Sequence, residues 1–198
     1  MNIISNILYW ISTGLLVPVI VLLILFFVRA LLMIGGFFGQ YLTVKRVNAK
    51  LSEQIKSLDA ADLDSFAASL PAKSSSLVVD YLRQIIANKG NQARVDLLLS
   101  SYEIEADKSL SVSKTLTKMG PILGLMGTLI PMGPALVGLS TGDIASMAYN
   151  MQVAFATTVV GLVISAIGFV TQQTKERWYV RDLAMLDYVA ELQKQSVA

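Results

Sequence analysis

Among the polar side chains inside the long apolar stretches of this 198-residue chain are Thr128, in one span, and Asn150, Gln152, Thr157 and Thr158, in the next. Hydroxyls and carboxamides exchange hydrogen bonds without titrating near neutrality. They can hold waters, line a wet path or orient a proton that another group carries. They cannot carry it themselves. The plainer use of such a threonine is a bond back to a carbonyl one turn earlier in its own helix. No Cys and no His occurs anywhere, so thiol nucleophiles, disulfides, zinc sites and Ser-His-Asp chemistry are absent. No nucleophile–base pair or metal set remains, so an enzyme is the least expected class, and neither cofactor nor metal is implied.

The stretches that hold these residues are membrane spans by composition. The chain is 54% apolar and 15% charged, where a soluble domain is roughly 45–50% apolar and about 25% charged. Residues 1–28 carry no charged side chain, and residues 119–174 carry only Asp143. A hydrocarbon core takes ~20 apolar residues per helix, so the first block holds one span and the second holds two. Ile7–Val28 reads as a retained anchor, because its apolar run continues to Phe38, broken only by Arg29, and lacks a basic start. Span two is expected from about Lys114 to Leu139 and span three from about Ile144 to Val170. The turn Ser140-Thr141-Gly142-Asp143 makes them an antiparallel hairpin, with Asp143 as N-cap of the third span.

All sixteen Lys and Arg fall in two segments, twelve in 29–118 and four in 175–194. By the positive-inside rule the N-terminus lies outside the cell membrane and the C-terminus in the cytoplasm. The expected fold class is an all-α integral membrane protein, three transmembrane helices with long cytoplasmic helical extensions. Its expected segments are a first transmembrane helix with a short outer N-terminus (1–38), a cytoplasmic helical region (39–113), a transmembrane hairpin (114–172) and a cytoplasmic C-terminal helix (173–198). Within 39–113, Val44, Val47, Leu51, Ile55 and Leu58 recur at helical spacing. Asp59 and Asp62 are expected to cap a short helix that Pro71 stops. An amphipathic helix follows through Leu77, Tyr81, Leu82, Ile85 and Ile86. Lys89-Gly90-Asn91 ends it and starts a long helix that runs into span two. The formal net charge of +2 is too balanced for a nucleic-acid binder.

Both hairpin spans carry stripes of small residues at steps of three and four, which keeps each stripe on one helix face. The first runs Gly120, Gly124, Gly127/Thr128, Pro131, Ala135, Gly138. The second runs Ser146, Asn150, Ala154, Thr157/Thr158, Gly161, Ser165, Gly168, Gln172. Small residues let helix backbones approach in lipid, so helix packing is the bland reading of the stripes as a whole. Pro131 and Pro134 free carbonyls near Gly127 and Ile130, and a kink or hinge is expected there. No Asp, Glu, Lys, Arg or His lies within the depth of the hairpin, so a proton relay contained in this chain lacks its carrier.

The run Gly120-Pro121-Ile122-Leu123-Gly124-Leu125-Met126-Gly127-Thr128-Leu129-Ile130, followed by Ala154-Phe155-Ala156-Thr157-Thr158-Val159-Val160-Gly161-Leu162, resembles the MotA/TolQ/ExbB proton channel family. The three-span layout is that of its TolQ/ExbB branch. The resemblance implies a homopentamer whose second and third spans line a pore. Inside it would sit the single membrane helices of a partner of the ExbD, TolR or MotB type, bearing an essential Asp. The implied function is an ion channel subunit, for protons, of a membrane motor that transduces the motive force to work at the envelope. Thr128 and Thr158 match the motif threonines, with Thr157, Asn150 and Gln152 as further pathway residues. Gly120, Gly124, Gly127, Pro131, Pro134 and Gly161 are expected to serve packing or hinging. Val153 stands where TolQ and ExbB proteins carry a Glu, and Pro131 and Pro134 replace the usual sequence after the motif, as in a divergent branch. The alternative is a non-conducting pentameric scaffold for a single-span partner. An unrelated transporter would show inverted repeats or broken helices, and none is evident.

Overall fold

The structure is a computed structural model and describes residues 2–56, 58, 62–70 and 76–195. Five helices follow in order: α1 (Asn2–Lys56), α2 (Leu63–Ser69), α3 (Leu77–Ala87), α4 (Gln92–Thr141) and α5 (Ile144–Gln195). Among the described residues there is no strand. Three helices, α1, α4 and α5, are long and apolar enough to cross a membrane. They hold 55, 50 and 52 residues. At about 1.5 Å per residue each is more than twice as long as a hydrocarbon core about 30 Å thick. Each helix therefore continues past its span. The chain is an all-α membrane protein.

Helix boundaries follow local chemistry. Gly142 takes φ +74°, which a glycine adopts without strain, and turns the chain between α4 and α5. Asp143 then accepts a hydrogen bond from Ser146 N at 3.0 Å, the N-cap expected of it. Gly90 at φ +85° separates α3 from α4, and Asn91 caps α4 by accepting from Arg94 N at 3.2 Å. Asp62 departs from expectation. It precedes α2, but its φ of −96° and ψ of 3° lie outside the extended region that a capping side chain needs, and its carboxylate makes no cap bond. Its carbonyl accepts from Phe66 N at 2.9 Å instead. Asp59 and Pro71 lie outside the described residues.

Two compact units result, and the three long helices pass through both. One comprises Met1–Gly36 and Val112–Gln172; the other comprises Phe37–Ser111 and Gln173–Ala198. In the first, Val19, Leu23 and Ala30 of α1 pack with Leu116, Leu123 and Ile130 of α4 and Ile164 of α5. In the second, Leu63 and Phe66 of α2 and Val78, Val79, Leu82 and Ile85 of α3 form a core with Tyr102 of α4 and Leu186 and Val189 of α5. This core also takes in Leu51 and Ile55 of α1.

Candidate functional site

The α4–α5 hairpin is closed by backbone approaching backbone. A Cβ added to Gly120 would lie 2.6 Å from Gly161 O, and one added to Gly161 would lie 2.5 Å from Gly120 O. Gly168 is as tight, 2.7 Å from Thr117 N, whereas a Cβ at Gly124 would make ordinary 3.5 Å contacts. At the turn end, a Cβ added to Gly138 would lie 3.1 Å from Asp143 O and 3.2 Å from Met147 N. Ser165 Oγ donates to Thr117 O at 2.9 Å and ties the two helices together. The two small-residue stripes thus meet along one seam.

Thr157 belongs to that seam. It is buried, and a Cβ at Gly127 would stand 2.6 Å from its Oγ1, so its side chain fills the space that Gly127 leaves. Its hydroxyl donates to Val153 O at 3.0 Å and Ala154 O at 2.9 Å. Thr158 is half-buried on the next side of the helix and donates to Ala154 O at 3.0 Å. Thr128 is half-buried and donates to Leu125 O at 2.7 Å. Asn150 Nδ2 donates to Ser146 O at 2.8 Å. Gln152 is exposed on an otherwise apolar face of α5, beside Phe155, Ala156 and Val159.

Each threonine proton is therefore committed to a carbonyl of its own helix. A hydroxyl so bonded keeps lone pairs as acceptors. Thr128 and Thr158 present hydrogen-bond acceptors to whatever stands against them: a water, or a protonated carboxyl. α4 continues through Pro121, Pro131 and Pro134 without a break in the helix. Pro131 is fully buried and Pro134 half-buried.

Titratable groups gather in the second unit, and residue spacing alone did not reveal them. Tyr102, 1% exposed, donates to Asp182 Oδ2 at 3.1 Å across 80 residues of sequence. Tyr81 stands edge-on to Tyr102 and donates to Glu105 at 3.1 Å. Tyr179 donates to Ser109 Oγ at 2.7 Å. Burial, then the Asp182 charge, pushes the Tyr102 hydroxyl far above the usual tyrosine range. Burial raises Tyr179 and Tyr81 in the same direction, with the Glu105 carboxylate adding to the second. Lys175 is lowered, by burial alone. Among the described residues no group of three or more His, Cys, Asp or Glu could hold a metal ion.

A family model described as the MotA/TolQ/ExbB proton channel family matches residues 76–185, more than half of the chain, with all of α3 and α4 and most of α5. A search of curated proteins gave no match. The chain belongs to the MotA/TolQ/ExbB proton channel family. It is a multi-pass membrane protein of a family of channel and energy-transducing proteins that work with partner subunits.

Proposed function

We propose that this family member is the ion channel subunit of a motive-force-driven membrane motor, closest in layout to the TolQ/ExbB branch, with the proton as its ion. One observation carries the reading. The hairpin pairs a glycine-sealed seam with two motif threonines whose oxygens still accept hydrogen bonds, yet the only titratable side chain between residues 119 and 174, apart from Tyr149, is Asp143 at the turn. Proton carriage then falls to a partner: a single-span subunit of the ExbD, TolR or MotB type with an Asp inside the membrane. Three spans cannot enclose a lumen and house that partner, so several copies surround it, and the family implies five.

In this reading the hairpin 114–172 makes the pore. Segment 1–38 anchors it, and 39–113 with 173–198 form its cytoplasmic wall. Work is delivered through the partner at the envelope. The chain sits in the cytoplasmic membrane, N-terminus outside and C-terminus inside, because all sixteen Lys and Arg fall in 29–118 and 175–194. A cysteine placed at Asn2 or Thr141 should react with an impermeant reagent from outside, and one at Ser100 should not; the opposite pattern reverses the orientation.

The deciding experiment is proton flux in vesicles that hold the protein with its partner. Thr158→Val keeps the shape and removes the oxygen. An assembled complex with flux strongly reduced is expected, and Thr128→Val should do the same more weakly. Thr157→Val should act through packing, by lowering stability. Normal flux in both Thr158→Val and Thr128→Val sinks the pathway. Val153, at the position where TolQ and ExbB relatives carry Glu, favours the second reading, a pentameric scaffold that holds its partner without passing ions. An assembled complex that never conducts would establish that reading instead.

A further inference from the structure

Beside α5 in the second unit lies a cavity of about 250 Å³ whose largely apolar wall holds one lysine and one carboxylate. Lys175, Trp178, Tyr179 and Asp182 line it from α5, and Gly39 and Gln40 line it from α1. Positions 175, 178, 179 and 182 follow steps of three, four and seven, so one helix face supplies all four. Trp178 is held in place: it stacks on Phe37 at 5.6 Å between ring centroids and 9° between planes, and Tyr41 flanks it at 5.8 Å.

The charges in this cavity are opposite and apart. Lys175 is half-buried and has no ion-pair partner among the described residues. Asp182 is buried and accepts from Tyr102. Seven residues put the two about 10 Å apart along the helix, two turns. Burial lowers the Lys175 pKa. A partly desolvated ammonium without a counter-charge is unfavourable unless something pairs with it.

Chain position says what stands near. Lys175 is three residues past Gln172, about 4.5 Å of helix beyond the last residue of the apolar unit. Gln40 is four residues past Gly36 on α1. In the topology proposed above, the polar layer of the bilayer begins near this level, and Trp, Tyr and Lys are the residues that meet lipid headgroups there. A lipid phosphate at this level faces Lys175 and the Gln40 amide. A group extending further from the membrane along α5 reaches Asp182. Cation first and carboxylate second is the complement of a zwitterion with its phosphate nearer the membrane and its amine farther out.

We infer that the cavity between α1 and α5 at Gly39, Gln40, Lys175 and Asp182 is a headgroup site for an amine-bearing phospholipid of the phosphatidylethanolamine type. The phosphodiester pairs with Lys175 and Gln40, and the primary ammonium with Asp182. Gly39 has open space before it, since a Cβ there would meet nothing within 4 Å. This inference is independent of ion conduction.

Native mass spectrometry on the purified full-length protein tests it, after exposure to mixed micelles of phosphatidylethanolamine, phosphatidylglycerol and phosphatidylcholine in equal parts. The expected result is a retained phospholipid enriched about tenfold in phosphatidylethanolamine, a ratio that corresponds to about 1.4 kcal/mol. Lys175→Gln should lower total retention about tenfold for all three lipids. Asp182→Asn keeps an acceptor for Tyr102 and should erase only the preference for ethanolamine over glycerol. Gly39→Val should fill the cavity and reduce retention while the melting temperature stays near that of the wild type, which keeps the test open if Asp182→Asn folds poorly. Unchanged total retention in both Lys175→Gln and Gly39→Val overturns the site and leaves a lysine that only reaches for water. Displacement of all retained lipid by free phosphoethanolamine overturns the lipid source in favour of a soluble zwitterion.

Discussion

The two units use the same pair of helices, α4 and α5, and hold them together by opposite means. In the unit with Val112–Gln172 the helices meet through glycines, and Gly120 and Gly161 bring backbone against backbone. In the unit with Phe37–Ser111 and Gln173–Ala198, Tyr102, Leu186 and Val189 pack into α2 and α3, and large side chains fill the space between helices. The difference follows from the solvent. Lipid tails are as apolar as leucine, so burial drives little and close van der Waals contact must hold the seam. Where water surrounds the helices, removing apolar area from it is the main driving force. One pair of helices carries both solutions, with Tyr102, Leu186 and Val189 in one unit and Gly120, Gly127 and Gly161 in the other.

This contrast is most directly tested by removing bulk from both units. Leu186 is 0% exposed in the second unit, and Leu186→Ala should destabilise by about 2–5 kcal/mol through lost transfer energy and a cavity. Leu123→Ala in the first unit leaves a cavity without the same loss of water exclusion, so it should cost less. Melting of both variants in one detergent, followed by intrinsic fluorescence, gives the order, and the reverse order would break the comparison. Adding bulk should act the other way round. Gly161→Ala forces a methyl toward Gly120 O and should cost about 1–3 kcal/mol by overpacking. Gly124→Ala meets only ordinary contacts and should be nearly silent. Equal effects at the two glycines would mean that the seam is looser than its geometry.

A smaller effect distinguishes the polar groups of the two units. Tyr102→Phe leaves Asp182 without this donor and should cost about 1.5–3 kcal/mol, the usual net worth of a hydrogen bond to a charged group. The pH dependence has a definite sign. Burial and Asp182 raise the folded-state pKa of Tyr102 above its unfolded value of about 10. Its contribution is complete below pH about 10 and is lost as pH rises from there toward the folded value. Alkaline melting of the wild type should therefore steepen above that point, and Tyr102→Phe should flatten it. An identical alkaline profile in both proteins would show that Tyr102 does not govern the window.

The comparison also explains what could be read from residues alone. The spans were legible because lipid tolerates so little charge: residues 1–28 have none, and 119–174 have Asp143 only. The turn was legible because Gly142 and Asp143 have local roles that any sequence position reveals. The ends of span one and span three were not, since no breaker separates them from the helices that follow, and the structure runs them on as α1 and α5. Asp62 misled because residue type suggests a cap but backbone angles decide it. Within the seam, the stripe located Thr157 and Thr158 together; only the helix crossing reveals that Thr157 is the one lodged against Gly127. The Tyr102–Asp182 bond was invisible, because nothing local links residues 80 apart.

The weakest interactions should lie where neither solvent argument applies, on the exposed helix surfaces of the second unit. Lys194 and Glu191 form an i,i+3 pair at 3.1 Å with side chains 45% and 64% exposed. Two long side chains lose freedom to hold this geometry, and water and salt screen what they gain, so the pair is worth about 0–1 kcal/mol. Glu191→Lys should change the melting temperature by a degree or two at most, and the change should shrink further in high salt. The same charge reversal on a docking face would behave differently: assembly and melting would stay intact while work by the complex fell. A single reversal with that signature would mark the face of α5 near residue 191 as an interface, and would end the comparison of this surface with a merely solvated wall.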